Sequence, residues 1–146
     1  MAVLEHTRTA VLSLDIQTAL VAIYTKQSPE FVPRLTSVIA HTRKMHAKLM
    51  HVRVGFRPGF PEINERNRFL AAMRANPQHR QIFEGDWGAI HAAVAPQPEE
   101  AVITKTRVSA FHGTDLGILL RSNDIDTLVL FGIATSGVVL STVWKR

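Results

Sequence analysis

The chain has 146 residues, with 17 Lys and Arg against 12 Asp and Glu, and no cysteine. Its length suits one domain with a real core, and 46% hydrophobic with 20% charged residues is a globular balance that excludes collagen, disordered tails and disulfide-stapled modules. The net charge of +5 is dispersed over Arg34, Arg43, Lys44 and Lys48, then Arg53 and Arg57, then Arg66, Arg68 and Arg74, which excludes a concentrated nucleic-acid footprint and reads as solvated helix faces.

Ala10-Val-Leu-Ser-Leu14 is a short apolar run that stops at Asp15, the pattern of a buried strand. After Ser28-Pro29 the spacing of Leu35, Val38, Ile39, Thr42, Met45 and Leu49 predicts a helix over residues 30–50. Residues 51–55 follow as a second strand. Two prolines and a glycine make residues 56–61 a loop. Phe69, Leu70 and Met73 mark a helix over residues 65–76, closed by Pro77. Residues 81–100 read as loop with a helical turn near 89–94. A third strand, residues 101–104, ends at Lys105. Thr114 or Asp115 caps a helix to about residue 123, with Leu116, Leu119 and Leu120 inward. Residues 127–131 are the fourth strand, meeting Gly132, and residues 136–144 begin a last helix. Alternating strands and helices predict an α/β fold, a three-layer sandwich around a parallel sheet, in a single domain over residues 1–146.

Ligands of open parallel sheets bind beyond the carboxyl ends of the strands. Those ends carry Asp15, Lys105 and the turn Gly132-Ile-Ala-Thr-Ser-Gly137. An acid and a lysine converging there would form a coupled acid–base pair, and the turn would offer backbone N–H groups to an anion. The same residues also fit a turn-capping aspartate and a surface lysine.

At these positions the chain resembles the isochorismatase-like, or cysteine hydrolase, family. Val11-Leu-Ser-Leu-Asp-Ile-Gln17 is similar to the family's first strand and D-x-Q motif. Lys105-Thr-Arg-Val-Ser-Ala-Phe-His-Gly-Thr-Asp-Leu116 is similar to its lysine segment, and Leu130-Phe-Gly-Ile-Ala-Thr135 to its fourth strand and turn. The resemblance implies strand order 3-2-1-4 followed by further strands that are missing here, and a homo-oligomer. It implies catalytic roles for Asp15 and Lys105, and a substrate pocket drawn from Gln17, Phe111, Ile133, Ala134, Thr135 and Gly137. It also implies that the peptide at Ala134 matches a frequent non-proline cis bond. Where the family's cysteine nucleophile stands this chain has Val138, with Gly137 before it. Ser136 is nearby, but the motifs place no base to activate it.

Two functions remain open on this reading. One is a hydrolase using Asp15 and Lys105 on a small anionic or cyclic substrate without a covalent thioester; the other is an inactive homologue that binds small molecules or forms oligomers. Isochorismatases in the family cleave a vinyl ether with the aspartate as acid, although their G-V-Y-A-H turn is absent here. Arg57 and Arg107 are either charges for an anionic substrate or surface cations. The family's aspartate–histidine metal cluster after the second strand is replaced by Val54-Gly-Phe-Arg-Pro-Gly59, and His51 and His112 read as packing or surface histidines, so neither metal nor cofactor is expected. No apolar run reaches the ~20 residues of a membrane span, and the N-terminus lacks a secretory layout. A cytoplasmic protein without membrane or nucleic-acid partners is therefore expected. The last helix has no strand after it, so the chain reads as short at its carboxyl end, with the fourth strand an open edge or covered by another subunit.

Overall fold

A computed structural model of the chain describes residues 5–144. Four parallel strands, β1 (Thr9–Leu14), β2 (Lys48–Val54), β3 (Ala101–Lys105) and β4 (Thr127–Gly132), form one sheet in the order β3-β2-β1-β4. Every residue of β1 is buried, because it lies between β2 and β4 and is covered on both faces. β4 stands at one edge of the sheet and β3 at the other.

Alternate residues of the central strands feed two apolar clusters. Ala10, Leu12, Leu14, Met50 and Val52 pack with Leu116 and Leu120 of helix α5 (Leu116–Ser122). Val11 and Leu49 pack on the other face with Val21 of α1 (Thr18–Tyr24) and with Leu35 and Ile39 of α2 (Phe31–Lys44). Period-two alternation thus produces the three layers. Winding proceeds outward from β1 through β2 to β3, then restarts on the opposite side of β1 with β4. The reversal leaves a crevice beyond the carboxyl ends of β1 and β4.

Several boundaries differ from the sequence expectation. The helix expected through residue 50 ends at Lys44, where His46 takes a φ of +53 and the Ala47 N–H bonds to Thr42 O at 3.3 Å. Leu49 and Met50 continued the helical spacing by coincidence; they belong to β2, opposite Val11 and Leu12. Helix α1 was not expected at all. The helix expected over 65–76 is the shorter α3 (Arg68–Ala75), and a further helix, α4 (Pro77–Gln81), follows it. Asn67 caps the first by accepting from the Leu70 N–H, while Pro77 begins the second rather than only closing the first. Lys105 is the last residue of β3 rather than the residue after it. The final helical stretch begins as a wide turn, Thr135–Val139, before α6 (Leu140–Trp144).

Gly132 sets how closely β1 and β4 approach where the crevice opens. It pairs with Leu14, and a Cβ built on it would lie 2.2 Å from Leu14 O and 2.6 Å from Leu14 Cβ. Backbone cannot retreat from such contacts as a flexible side chain does. Gly132→Ala is expected to cost at least about 2 kcal/mol in urea denaturation, because β1 and β4 must separate to accommodate it.

Candidate active site

The strands end, and the charged residues begin, at the crevice. Asp15 leaves β1 with a φ of +56, a left-handed conformation that aspartate tolerates better than most residues. Its own N–H remains in register, donating to Val52 O at 2.9 Å. Lys105 closes β3, on the far side of β2. Two strand spacings separate these backbones, roughly 10 Å, and the long lysine stem crosses that distance over the end of β2. Lys105 Nζ lies 2.8 Å from Asp15 Oδ2 and donates to Arg107 O at 3.1 Å.

Both side chains are almost sealed from water, Lys105 at 1% and Asp15 at 7% exposed. Burial pushes the Asp15 carboxyl up to about 6, against the Coulombic and hydrogen-bonding pull of Lys105. Oδ1 of Asp15 is buried with no hydrogen-bond partner. A carboxyl with one oxygen committed and the other unsatisfied, poised near neutral pH, has the attributes of a proton-transfer group.

The pair lies against a cavity of about 250 Å³. Ile133, Ala134, Gly137 and Val138 from the turn after β4 contribute to its walls, and Val138 is 3% exposed. The peptide bond between Ile133 and Ala134 is cis. Leu20 and Tyr24 of α1, together with Phe56, Phe69, Leu70, Met73 and Phe83, make the remaining wall apolar and largely aromatic. Arg107 also reaches the cavity. Its guanidinium donates to Thr106 O at 2.7 Å and Glu62 O at 3.0 Å, which fixes a positive charge beside Lys105.

The other expected residues lie elsewhere. Gln17 is wholly buried outside the cavity lining, bonded to the backbone at Val54 and Gly88. Phe111 packs into the apolar cluster beneath α5. Thr135 and Ser136 are exposed beyond the lining. Of the N–H groups of the turn, expected to be open to an anion, that of Ile133 donates to Leu14 O at 3.1 Å and that of Gly137 to Ala134 O at 3.0 Å. Arg57 turns outward to an ion pair with Glu62 at 2.6 Å. His112 is exposed.

His51, by contrast, is buried in a cluster that sequence reasoning missed. Its Nε2 lies 3.0 Å from Glu100 Oε2, and Arg43 Nε donates to Glu100 Oε1 at 2.7 Å. Burial alone would raise the Glu100 carboxyl, but hydrogen bonds from Arg43, from the Gln97 N–H and from His51 outweigh it and hold it down to about 2. Burial lowers His51. This cluster joins α2, β2 and the approach to β3 and is separate from the cavity. Among the described residues, no group of three or more His, Asp or Glu side chains is arranged to hold a metal ion. No helix among them is long and apolar enough to cross a membrane.

Residues 9–145 match the family profile described as the isochorismatase domain. YwoC of Bacillus subtilis, an isochorismatase family protein, is 31% identical over 146 residues, covering 95% of this chain and 70% of its own length. The ureidoacrylate amidohydrolase RutB of Methylorubrum extorquens is 40% identical over 89 residues, 59% of this chain and 36% of that protein. Among solved structures, N-carbamoylsarcosine amidase from Thermoplasma acidophilum superposes with a TM-score of 0.75 at 25% identity, over 94% of this chain and 73% of its own. A cysteine hydrolase from Pseudomonas syringae pv. phaseolicola shares the fold with a TM-score of 0.82 at 23% identity, over 97% of this chain and 66% of its own. The chain thus spans about a third of the amidohydrolase and about two thirds of the cysteine hydrolase.

The raised carboxyl has a measurable signature. Folding favours the protonated form of Asp15, so its contribution to stability is present below about 4 and is lost as pH rises through about 6. Carboxyl NMR should show Asp15 titrating near 6, and Lys105→Met should move that midpoint higher by removing the attraction that opposes burial. A midpoint near the ordinary aspartate value would show the carboxyl to be hydrated.

Proposed function

The chain belongs to the isochorismatase family, and we propose that it is a hydrolase of that family which works by acid–base chemistry at Asp15 without a covalent enzyme intermediate. The observation that carries this reading is the Asp15 carboxyl itself, buried beside the cavity, pushed up to about 6, with one oxygen on Lys105 and the other unpaired. The chain has no cysteine, and on the resemblance of its turn to the family's motif Val138 stands in for that nucleophile. Its isopropyl group has no lone pair with which to attack.

In the proposed reaction, Asp15 in its acid form gives a proton to the substrate, at an enol carbon or at the leaving group. Water adds to the cation or carbonyl so activated, and its surplus proton returns to the Asp15 carboxylate. Lys105 stabilises that carboxylate between the two transfers and keeps it oriented through Oδ2. The products are the two halves of the cleaved bond plus the elements of water, and Asp15 ends as it began.

Lys105 and Arg107 leave the cavity one positive charge in excess when Asp15 is ionised and two when it is in its acid form, and its other walls are largely apolar. This supports a small substrate with an anionic group on a compact or cyclic body. The names of the relatives, a ureidoacrylate amidohydrolase and an N-carbamoylsarcosine amidase, support small substrates with amide-type bonds. The buried Val138 favours a second reading, a binding subunit that retains the pocket without turnover.

Turnover assayed against small carboxylate-bearing vinyl ethers and amides separates the two. The hydrolase reading expects Asp15→Asn to lower the rate by at least about a hundredfold, with Ser136→Ala unchanged. No turnover by the parent protein, together with saturable binding of the same compounds, would establish the binding subunit instead.

A further inference from the structure

The largest single contribution to the apolar wall of the cavity comes from one excursion of the chain. Between the end of β2 at Val54 and the turn at Gly88, residues 55–87 leave the sheet, form α3 and α4, and contribute Phe56, Phe69, Leu70, Met73 and Phe83 to the wall. The excursion departs and returns beside one fully buried side chain. Gln17 Oε1 accepts from the Val54 N–H at 2.8 Å, and Nε2 donates to Val54 O at 3.0 Å and to Gly88 O at 2.7 Å. Both ends of the excursion are therefore bonded to the same carboxamide, in the one arrangement that uses its acceptor and both its donor hydrogens.

The backbone around Gln17 strengthens this junction. The Thr18 N–H donates to Ala89 O at 3.0 Å and the His91 N–H to Ile16 O at 2.9 Å, a short antiparallel bridge that seats the returning chain against the segment after Asp15. Gly88 admits no side chain there, since a Cβ would lie 2.7 Å from the Phe83 carbonyl carbon. Further out, the Arg107 guanidinium donates to Glu62 O and to Thr106 O, tying the excursion to the segment after β3. Gln17 hydrogen-bonds neither Asp15 nor Lys105.

We propose that Gln17 is a positioning residue: it closes the base of the 55–87 excursion and so holds the cavity's apolar wall over the Asp15–Lys105 pair. The inference goes beyond the reaction proposed above and rests only on the cavity being where small molecules bind. Removing the carboxamide takes that partner from the half-buried N–H and carbonyl of Val54 and from the buried carbonyl of Gly88. Local opening of the excursion, which exposes them to water, is the inexpensive response.

Hydrogen exchange resolved by residue tests this without reference to turnover. In Gln17→Ala, amides within residues 55–88 are expected to exchange at least about tenfold faster, while those of β1, β4 and α5 keep their parent rates. Gln17→Glu supplies a chemical signature. As a carboxylate it cannot donate to Val54 O or Gly88 O, so at pH 8 its excursion should be as exposed as in Gln17→Ala. Protonated at pH 5 among those carbonyls, it again donates to one and accepts from Val54, and protection relative to the parent should return. This variant retains two of the three bonds at pH 5 and keeps the test available if Gln17→Ala fails to fold. Uniform acceleration across the sheet, unchanged exchange in 55–88, or a Gln17→Glu variant without pH-dependent recovery would each overturn the proposal.

Discussion

Two opposite charges are sealed from water over the end of a strand that contributes neither of them. Desolvating a carboxylate and an ammonium costs several kcal/mol each, roughly what their attraction returns, so such a pair adds little net stability. Separating the partners is another matter, at about 3–5 kcal/mol, because an unpaired charge is then left buried. The strand order, the left-handed turn at Asp15 and the length of the lysine stem all serve to keep Asp15 and Lys105 together. A hydrophobic pair of similar volume would hold the sheet as well. Retaining the charges is consistent with a requirement set by chemistry rather than by folding.

The cavity side and the α2 side of the molecule treat buried carboxyls in opposite ways. Glu100 is surrounded by donors, from Arg43, His51 and the Gln97 N–H, and is held down to about 2 despite its burial. Asp15 has one cation and a bare second oxygen, and burial prevails. Several donors outweigh desolvation at Glu100 and hold it as an anion, whereas at the more deeply buried Asp15 a single cation does not, and its carboxyl is raised toward neutrality.

The sheet was legible in the sequence because each strand is a dense apolar run that stops at a polar residue or glycine. Those stops are the geometric ends at which Asp15 and Lys105 meet. Helix α2 was overextended because Leu49 falls at helical spacing from Met45 yet belongs to β2; only the reversal at His46, a residue with no strong turn signature, separates the two elements. Gln17 carried a motif but not its role, since its partners lie 37 and 71 residues away in the chain. Nothing local marks a side chain that bonds to distant backbone. The aromatic wall was hidden for the same reason: Phe69 and Phe83 have unremarkable neighbours and meet only when the excursion folds back over the sheet.

The consequence of that excursion is a division of labour along the chain. The charged pair stands at the ends of β1 and β3, whereas the largest single share of the apolar lining is encoded in one uninterrupted stretch between Val54 and Gly88. That stretch contains no strand of the sheet and neither member of the charged pair, so a change confined to it falls on the cavity wall. That part of the wall is a cassette, and its two splice points are bonded to the same glutamine.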